Sequence, residues 1–494
     1  MRELLEGLYE RQFGERPHTL VRIAADGSQR TYLRLSGPRA TVIGAVGPDP
    51  DENRAFLSFS RSFRGIGLPV PAILAVDEAA GAWLEEDLGD TTLFSALSAA
   101  RAAGGPDDGF PASMVPVYER VVATLPRFQI EGGRVADFRC AYPRAAFDRQ
   151  SMLWDLNYFK YHFLKLAHIP FNEQRLENDF AALADFLLGA DTSHFLYRDF
   201  QSRNIMLRDG APWFIDYQGG RRGAPHYDIA SLLYDAKADI PEVVRERLLG
   251  HYLTAFARLS PVDETAFRAH YRGYVLIRIM QAMGAYGYRG FYERKVRFLQ
   301  SVPYAARNIE RIVAGGLPIA LPELAQVFAR IVEAWADAPG PVQPLPGLTV
   351  HLGSFSYRRG YPPDESEHGG GFVFDCRALP NPGRSPEYAE LSGRDEPVIA
   401  FLEQAPEVER FWSNVVPLVE SSVEEYRRRG FSDLAVNFGC TGGRHRSVYF
   451  AERLARHVRA RFPDVGVRVD HYEKSEWDPA HTRRAAPQAA AWTP

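Results

Sequence analysis

The chain has 494 residues, which is enough for two or three domains, because a single hydrophobic core stops growing well below this length. Its 46% of hydrophobic and 24% of charged residues are typical of a soluble globular protein, and no long apolar run predicts a membrane span. The formal net charge of −4 excludes a general electrostatic attraction to nucleic acid or anionic membranes. Three cysteines are too few for a disulfide framework, so we expect a cytoplasmic protein.

The beginning of the chain, up to about residue 95, has the pattern of a small β-sheet. Its predicted strands are Thr31 to Leu35, Thr41 to Val46 and Ala82 to Glu85. The section from about 96 to 335 is mainly helical in pattern and ends in an amphipathic helix, Glu323 to Trp335. This order predicts a small sheet lobe followed by a larger helical lobe.

The helical section contains three polar residues at the spacing of a kinase catalytic centre. Asp199 is followed after four residues by Asn204, and Asp216 lies further downstream. In a kinase, the first Asp accepts the proton of the attacking hydroxyl, and the Asn and the second Asp hold Mg²⁺ at the ATP phosphates. We therefore predict Asp199 as the catalytic residue and Asn204 and Asp216 as metal ligands.

Two short apolar runs lie between these polar residues. Residues 205–207 and 213–215 are joined by Arg208-Asp209-Gly210, which predicts a β-hairpin with Asn204 and Asp216 at one end. Asp and Asn also commonly cap turns without any catalytic role. The matching distances of three polar groups around two strands favour the kinase interpretation.

With this motif and lobe order, residues 1–335 resemble the aminoglycoside phosphotransferase and choline kinase branch of the kinase-like fold. The resemblance implies an α+β two-lobed domain that uses ATP and Mg²⁺. It also implies that Asp228 braces the catalytic loop. The resemblance further implies a nucleotide site, formed by a turn that covers the nucleotide and by the segment that joins the two lobes. Its candidate residues are Ser28, Arg30, Arg34, Glu86 and Leu88.

One feature departs from the family pattern. The first lysine of the chain is Lys160, so the sheet lobe lacks the lysine that binds phosphate in the family. Arg30 or Arg34 is the expected replacement, because a guanidinium also neutralises phosphate charge. A pseudokinase that only senses nucleotide is the alternative.

Within the family, this missing lysine, the sequence around Ser28 and Arg30, and the Leu88-Gly89-Asp90 string are most similar to the anomeric kinases of N-acetylmuramate and N-acetylglucosamine in cell-wall recycling. The resemblance implies a small-molecule sugar substrate, phosphorylated at the anomeric hydroxyl to a sugar 1-phosphate. The stretch Trp154 to Lys165 offers polar side chains for such a sugar, or is an ordinary amphipathic helix.

A stretch rich in Pro and Gly, residues 336–347, predicts a connector to a second domain, residues 348–484, and the Ala- and Pro-rich tail 485–494 is expected to fray. In the second domain an apolar run, a Gly-rich loop that includes Gly443, and a helical pattern predict an anion site, with Arg446 closing over the ligand. Cys440 and Arg446 also have the spacing of a cysteine-dependent phosphatase, which is the competing interpretation.

The strings Phe372 to Pro382 and Gly439 to Tyr449 resemble the C-terminal domain of the RapZ family of RNase adapter proteins. The resemblance implies an α/β domain that binds RNA and senses a phosphosugar, glucosamine 6-phosphate. The candidate ligand contacts that it implies are Asp375, Arg377, Asn381, Cys440, Thr441, Gly442, His445 and Arg446.

The charge balance of this second domain decides between its two implied ligands. From His351 onward there are 19 Lys and Arg residues against 21 Asp and Glu residues, whereas binding to a phosphate backbone normally leaves a basic excess. We therefore predict a phosphosugar effector in preference to RNA. An RNA-binding adapter with a nucleotide-sensing pseudokinase half is the alternative.

Overall fold

The structure is a computed structural model that describes residues 1–23, 30–104, 109–293, 295–336, 347–362 and 371–477. The predicted nucleotide-site residue Ser28 lies outside these residues, as do the tail 485–494 and all but the two end residues of the predicted connector. The chain forms two compact units. The first contains residues 1–160, 170–284 and 304–329, and the second contains 161–169, 285–303 and the described residues from 330 onward.

The first unit contains an antiparallel sheet of five strands in the order β1-β2-β3-β5-β4. The strands are β1 (Thr19–Ile23), β2 (Thr31–Ser36), β3 (Thr41–Val46), β4 (Ile73–Asp77) and β5 (Ala82–Glu86). Helix α1 (Arg2–Phe13) packs on this sheet through Leu5 and Leu8, which join Leu33, Leu35 and Leu84 in one apolar cluster. The sheet predicted from residues 31–35, 41–46 and 82–85 is present.

Helix α2 (Pro50–Gly65) crosses from β3 to β4 and carries an aromatic face. Its start is fixed by Asp49, whose carboxylate accepts hydrogen bonds from the backbone amides of Asp51 and Glu52. Further along, Phe56 stacks on Tyr217 with ring centroids 5.4 Å apart. Helix α2 is therefore packed against the segment that follows Asp216.

Helices dominate the chain from residue 93 to residue 335. They are α3 (Leu93–Gly104), α4 (Val115–Pro126), α5 (Gly133–Val135), α6 (Arg149–Phe159), α7 (Glu173–Leu187), α8 (His226–Leu233), α9 (Glu242–Ala257), α10 (Glu264–Gly287), α11 (Val302–Ala314) and α12 (Pro322–Trp335). No helix of the described residues is both long enough and apolar enough to cross a bilayer.

Two short strand pairs interrupt these helices and frame the predicted catalytic segment. Strand β6 (His194–Leu196) pairs with β9 (Arg221–Gly223), and β7 (Ile205–Arg208) pairs with β8 (Ala211–Phe214). The β7–β8 connection is the two-residue turn Asp209-Gly210, and both of its residues have positive φ, as hairpin turns of this length require. The predicted hairpin is present, but its second strand begins at Ala211, two residues before the predicted start at Trp213.

The second unit contains a parallel sheet of four strands in the order β11-β12-β10-β13. Its elements are β10 (Thr349–Ser356), β11 (Gly371–Asp375), α13 (Glu396–Glu403), α14 (Pro406–Arg429), β12 (Asp433–Cys440), α15 (Arg446–Arg461), β13 (Gly466–His471) and α16 (Lys474–Trp477). The carboxyl ends of parallel strands meet at one edge, where ligands commonly bind in such sheets. Residues after β11 and β12 line a cavity at this edge.

Candidate functional site

The carboxylate of Asp199 is free of internal partners. Asp199 is half-buried, and its side chain makes no hydrogen bond or ion pair with any residue that the structure describes. Its backbone carbonyl accepts a hydrogen bond of 2.9 Å from Nδ2 of Asn204. A side chain placed on Gly219 would bring its Cβ to 3.3 Å from Oδ2 of Asp199, so glycine leaves room beside this carboxylate. The backbone is thus fixed while the carboxylate remains available.

Asn204 and Asp216, which follow Asp199 in the chain, are hydrogen-bonded to each other. Nδ2 of Asn204 donates to Oδ2 of Asp216 at 2.8 Å, and Nε2 of Gln218 donates to Oδ1 at 2.7 Å. Asp216 has a φ of 69°, a left-handed conformation that is uncommon outside glycine and frequent at functional sites. Burial, followed by the charge of Asp199, raises the pKa of Asp216 to about 6.

These residues fit a bound Mg²⁺. Carboxylate and amide oxygens are hard donors of the kind that magnesium prefers. The raised pKa of Asp216 reflects a buried negative charge that the fold leaves undercompensated, and a divalent cation would relieve it. Oε1 of Gln218 is also buried without a hydrogen-bond partner among the described residues. Asn204 and Asp216 are the residues that would hold the ion.

Asp228 on α8 lies beneath the catalytic loop. Its two carboxylate oxygens accept hydrogen bonds from the backbone amides of Tyr197, at 2.9 Å, and Arg198, at 3.0 Å. A third hydrogen bond of 2.9 Å comes from Nε2 of Gln129. Asp228 is fully buried, and this burial raises its pKa to about 7. The geometry is that of a brace, because this one carboxylate holds the backbone amides of the two residues that precede Asp199.

Arg198, which precedes Asp199, is held in a strained conformation. Its φ is 82°, and its guanidinium makes two hydrogen bonds of 2.6 Å with the carboxylate of Asp155 on α6. Nη1 also donates to the hydroxyl of Tyr227 at 2.8 Å. Asp155, which the sequence offered as a possible sugar contact, is therefore occupied inside the protein.

The two candidate replacements for the missing lysine have different surroundings. Arg30 is buried between the rings of Phe56 and Trp83 and lies 3.3 Å from Oε1 of Glu52 on α2. Its positive charge lowers the pKa of Asp216. Glu85 is buried in the same cluster, and burial raises its pKa to about 7. Arg30 is therefore a buried cation whose charge acts on Asp216.

Arg34, in contrast, is bound to the segment that joins the lobes. Its guanidinium donates to the carboxylates of Asp87, at 2.6 and 3.0 Å, and Asp90, at 3.0 and 2.8 Å. Glu86 accepts from Nη1 of Arg208 at 2.6 Å, and its backbone amide donates to Ala72 within the sheet. Leu88 is buried at 7% exposure. Arg34 thus orders the joining segment and is not a free cation for phosphate.

In the second unit, part of the predicted anion site surrounds a cavity of about 430 Å³ at the carboxyl edge of the sheet. Arg377 lines it, held by an ion pair of 2.7 Å with Asp375, which lowers the pKa of that carboxyl. Asn381 and Thr441 line it as well. Arg446 also reaches the cavity wall, but its Nη1 donates to the backbone carbonyls of Arg377 and Leu379 at 2.9 Å each. Instead of closing over a ligand, as expected, Arg446 fastens the loop after β11.

The remaining residues of the predicted loop are placed differently. Gly442 faces open space, whereas Gly443 has a φ of 66° and a side chain there would collide with Glu473. The ring of His445 donates from Nε2 to the carbonyl of Tyr388 at 2.9 Å, and burial lowers its pKa. His445 is therefore part of the internal bonding of this domain.

Cys440 points into the apolar core. Its side chain is 3% exposed and lies with Cys376 in the cluster of buried residues between the sheet and its helices. Its sulfur contacts the hydroxyl of Ser447 at 3.1 Å. A phosphatase nucleophile must meet its substrate as an accessible thiolate. The phosphatase interpretation is therefore wrong on geometric grounds, because the cavity is lined by Thr441 and not by Cys440.

Comparison with known families agrees with both halves of this description. The family model of the phosphotransferase enzyme family matches residues 19–262, and that of the RapZ C-terminal domain matches residues 348–475. The chain joins a phosphotransferase-family domain to a RapZ C-terminal domain. The predicted fold classes, a two-lobed kinase-like domain and an α/β domain, are thereby confirmed.

Relatives and structural neighbours resemble parts of the chain. A nucleotide-binding protein of Xanthomonas campestris pv. campestris is 43% identical over 119 residues, 24% of this chain and 40% of that protein. A nucleotide-binding protein of Nitrosomonas europaea is 38% identical over 156 residues, 32% of this chain and 50% of that protein. The chain thus spans half or less of these relatives' length. Choline kinase LicA from Streptococcus pneumoniae is 15% identical with a TM-score of 0.41, covering 62% of this chain and 99% of that structure.

Two arginines of these domains escaped the sequence-based prediction. In the phosphotransferase domain, Arg221 is buried five residues after Asp216, and the preceding Gly219-Gly220 pair was its only local signal. In the RapZ C-terminal domain, Arg384 lines the cavity and makes no ion pair with a described residue. Its signal in the sequence is the string Asn381-Pro-Gly-Arg, which ends in this arginine.

Proposed function

We propose that the chain is an ATP- and Mg²⁺-dependent small-molecule kinase that phosphorylates the anomeric hydroxyl of an amino sugar such as N-acetylglucosamine or N-acetylmuramate. The observation that carries the proposal is the carboxylate of Asp199, which makes no hydrogen bond or ion pair with a described residue, while its backbone is fixed by Asn204 and by the loop that Asp228 braces. A general base needs this combination of fixed position and open hydrogen-bonding capacity.

Each residue of the site has a distinct part in this reaction. Asp199 orients the sugar hydroxyl and accepts its proton, and Asn204 and Asp216 hold the magnesium ion. Magnesium and ATP, when bound, would supply charge neutralisation and the phosphoryl group respectively. Arg30 adds positive charge at the phosphate end of the site, in the absence of a sheet-lobe lysine. The choice of an amino sugar rests on the sequence resemblance around Arg30 and Leu88.

The direct test is ³¹P NMR of the full chain with ATP, MgCl₂ and a panel of amino sugars. We expect ADP together with an anomeric 1-phosphate, and neither product with the Asp199→Asn protein. A sugar 6-phosphate would refute phosphorylation at the anomeric hydroxyl but would still support a sugar kinase. Binding of ATP without formation of ADP in the presence of any acceptor would support the pseudokinase alternative, in which this domain only senses nucleotide.

For the RapZ C-terminal domain we propose binding of a phosphosugar, with glucosamine 6-phosphate as the first candidate. The supporting observation is the cavity of about 430 Å³, whose lining includes Arg377, Arg384 and Asn381. Arginine and amide groups provide the donors that a phosphate and sugar hydroxyls need. Calorimetric titration of glucosamine 6-phosphate into the full chain tests this, with Arg384→Ala expected to abolish binding and Arg410→Ala, at an exposed position that does not line the cavity, expected to preserve it.

The alternative of an RNA-binding adapter is less well supported by the charges of the domain. The Arg427 and Arg428 guanidinium groups on α14 are paired with the carboxylates of Asp464 and Glu425. A basic patch that is neutralised in this way has less charge to offer a phosphate backbone. Salt-dependent RNA binding by the full chain that is lost in Arg444→Ala would favour the adapter over the phosphosugar sensor.

A further inference from the structure

Arg221 is a buried cation without a carboxylate partner. It begins β9, opposite Leu196 of β6, and is 7% exposed. Its Nε donates to the carbonyl of Gly219 at 3.0 Å and its Nη2 to the carbonyl of Tyr142 at 3.2 Å. With the residues that the structure describes, Arg221 makes no ion pair, and its Nη1 makes no hydrogen bond.

The charge of Arg221 is therefore oriented but not neutralised. Two carbonyl dipoles fix the plane of the guanidinium, whereas the adjacent Arg198 is fully paired with Asp155. Burial, followed by the charge of Arg198, lowers the pKa of Arg221 to about 10. Buried charges in proteins are normally paired, because an isolated one is costly to remove from water. Asp155 and Asp199 attract this arginine, but no carboxylate of the described residues lies within ion-pair distance of it.

The missing partner would lie beside the catalytic carboxylate. Arg221 holds the carbonyl of Gly219, and a Cβ on that glycine would be 3.3 Å from Oδ2 of Asp199. Asp199 itself is one of the charges that act on Arg221. On the other side, Asp49, the residue that caps α2, raises the pKa of the Tyr142 hydroxyl. The guanidinium is thus anchored between the carbonyl of Gly219, next to Asp199, and the carbonyl of Tyr142.

We propose that Arg221 forms an anion subsite beside Asp199, which binds an oxyanion of the reacting substrates through its guanidinium. Two sources provide this chemistry: a carboxylate carried by the acceptor sugar, or the phosphoryl group during its transfer. This proposal rests on the proposed kinase function. In the first case Arg221 distinguishes acidic from neutral acceptor sugars, and in the second it stabilises the phosphoryl group during its transfer.

The test compares Arg221→Gln with Arg222→Gln in the full chain. Arg222 is the next residue, exposed, with its guanidinium over the ring of Phe138, so it is a matched control for loss of one arginine from β9. N-acetylmuramate and N-acetylglucosamine form the acceptor pair, because they differ by one carboxylate-bearing ether. Steady-state kinetics and thermal unfolding are measured for each protein.

If the acceptor supplies the anion, Arg221→Gln raises KM for N-acetylmuramate at least tenfold and changes N-acetylglucosamine kinetics less than twofold. If the transferred phosphoryl supplies it, kcat falls at least tenfold with both sugars at unchanged acceptor KM. Arg222→Gln stays within twofold of the parent in both cases. Equal kinetics of parent and Arg221→Gln overturn the subsite, as does a loss of rate that only parallels a lower unfolding temperature.

Failure of the kinase proposal is separable from failure of the subsite. If the parent phosphorylates neither sugar, inorganic phosphate is titrated calorimetrically into the protein loaded with Mg²⁺ and ADP. Binding to the parent that is at least tenfold weaker in Arg221→Gln, and unchanged in Arg222→Gln, retains the anion subsite without a sugar kinase. Phosphate binding that does not differ between parent and Arg221→Gln refutes it.

Discussion

The same Asp→Asn substitution should lower kcat at both Asp199 and Asp228, but it should lower the stability of the fold only at Asp228. In Asp199→Asn the new amide replaces a carboxylate that has no hydrogen bond within the described residues, so no native contact is lost. The charge of Asp199 repels the buried carboxylates of Asp216 and Asp228 but attracts Arg198 and Arg221, so its removal relieves repulsion and also loses attraction. We expect kcat to fall by about 10² to 10⁴, the usual contribution of a positioned general base, or about 3 to 5 kcal/mol of barrier. Because these effects oppose each other, the free energy of unfolding should stay nearly constant.

In Asp228→Asn the carboxylate that is lost accepts three hydrogen bonds. An asparagine offers one oxygen and one NH₂ group, so the backbone amide of either Tyr197 or Arg198 would face a second donor. A buried donor without an acceptor costs about 1 to 3 kcal/mol. We expect a loss of stability of this order, together with a lower kcat, because the conformation of Arg198 depends on this hydrogen bond.

Urea unfolding and coupled ADP-release kinetics on the two proteins test this contrast, with exposed Asp185→Asn on α7 as the control. Asp185 forms only a surface ion pair with Arg149, so its substitution should change stability by less than about 1 kcal/mol. The reasoning is refuted if Asp199→Asn is destabilised as much as Asp228→Asn, or if it retains more than a tenth of the parental kcat.

Three further substitutions test other parts of the description. Arg30→Gln should lower kcat/KM for ATP at least tenfold, whereas Arg34→Gln should mainly lower thermal stability, because Arg34 is bound to Asp87 and Asp90; equal kinetic effects would contradict the assignment. Glu85→Gln should make stability less dependent on pH. The folded protein holds the proton of Glu85 up to about pH 7 and the unfolded chain releases it near 4.5, so parental stability falls as pH rises through this window, and urea midpoints at pH 5 and pH 8 measure the difference. Cys440→Ser should leave p-nitrophenyl phosphate hydrolysis unchanged, and a loss of hydrolysis would restore the phosphatase interpretation.

The sequence predicted those parts of the site that depend on neighbours along the chain. The hairpin that carries Asn204 and Asp216 follows from two apolar runs around Asp209-Gly210, and both turn residues tolerate positive φ. The pairing of Arg198 with Asp155 spans 43 residues and has no local signal. Such contacts arise only when helices pack, and periodicity cannot specify them.

The errors in the second domain have a related cause. The spacing of Cys440 and Arg446 predicts that both belong to one anion-binding loop. The number of residues between them does not show that Cys440 still belongs to strand β12. Cys440 is the last residue of β12 and lies on the same face as Leu434, Val436 and Phe438, which belong to the core, so it meets the core instead of the cavity. Arg446 stands at the start of α15, where the carbonyls of the loop after β11 occupy its guanidinium.

The missing lysine has a structural counterpart that links the sheet lobe to the catalytic segment. Arg30 is held by Glu52 and Phe56, which both belong to α2. The same face of α2 stacks Phe56 on Tyr217, the residue next to Asp216. Displacement of α2 would therefore move Arg30 and the segment that follows Asp216 together. A Phe56→Ala protein should accordingly lose ATP affinity and Mg²⁺ dependence in parallel, and separate loss of one of them would show that Arg30 and Asp216 are positioned independently.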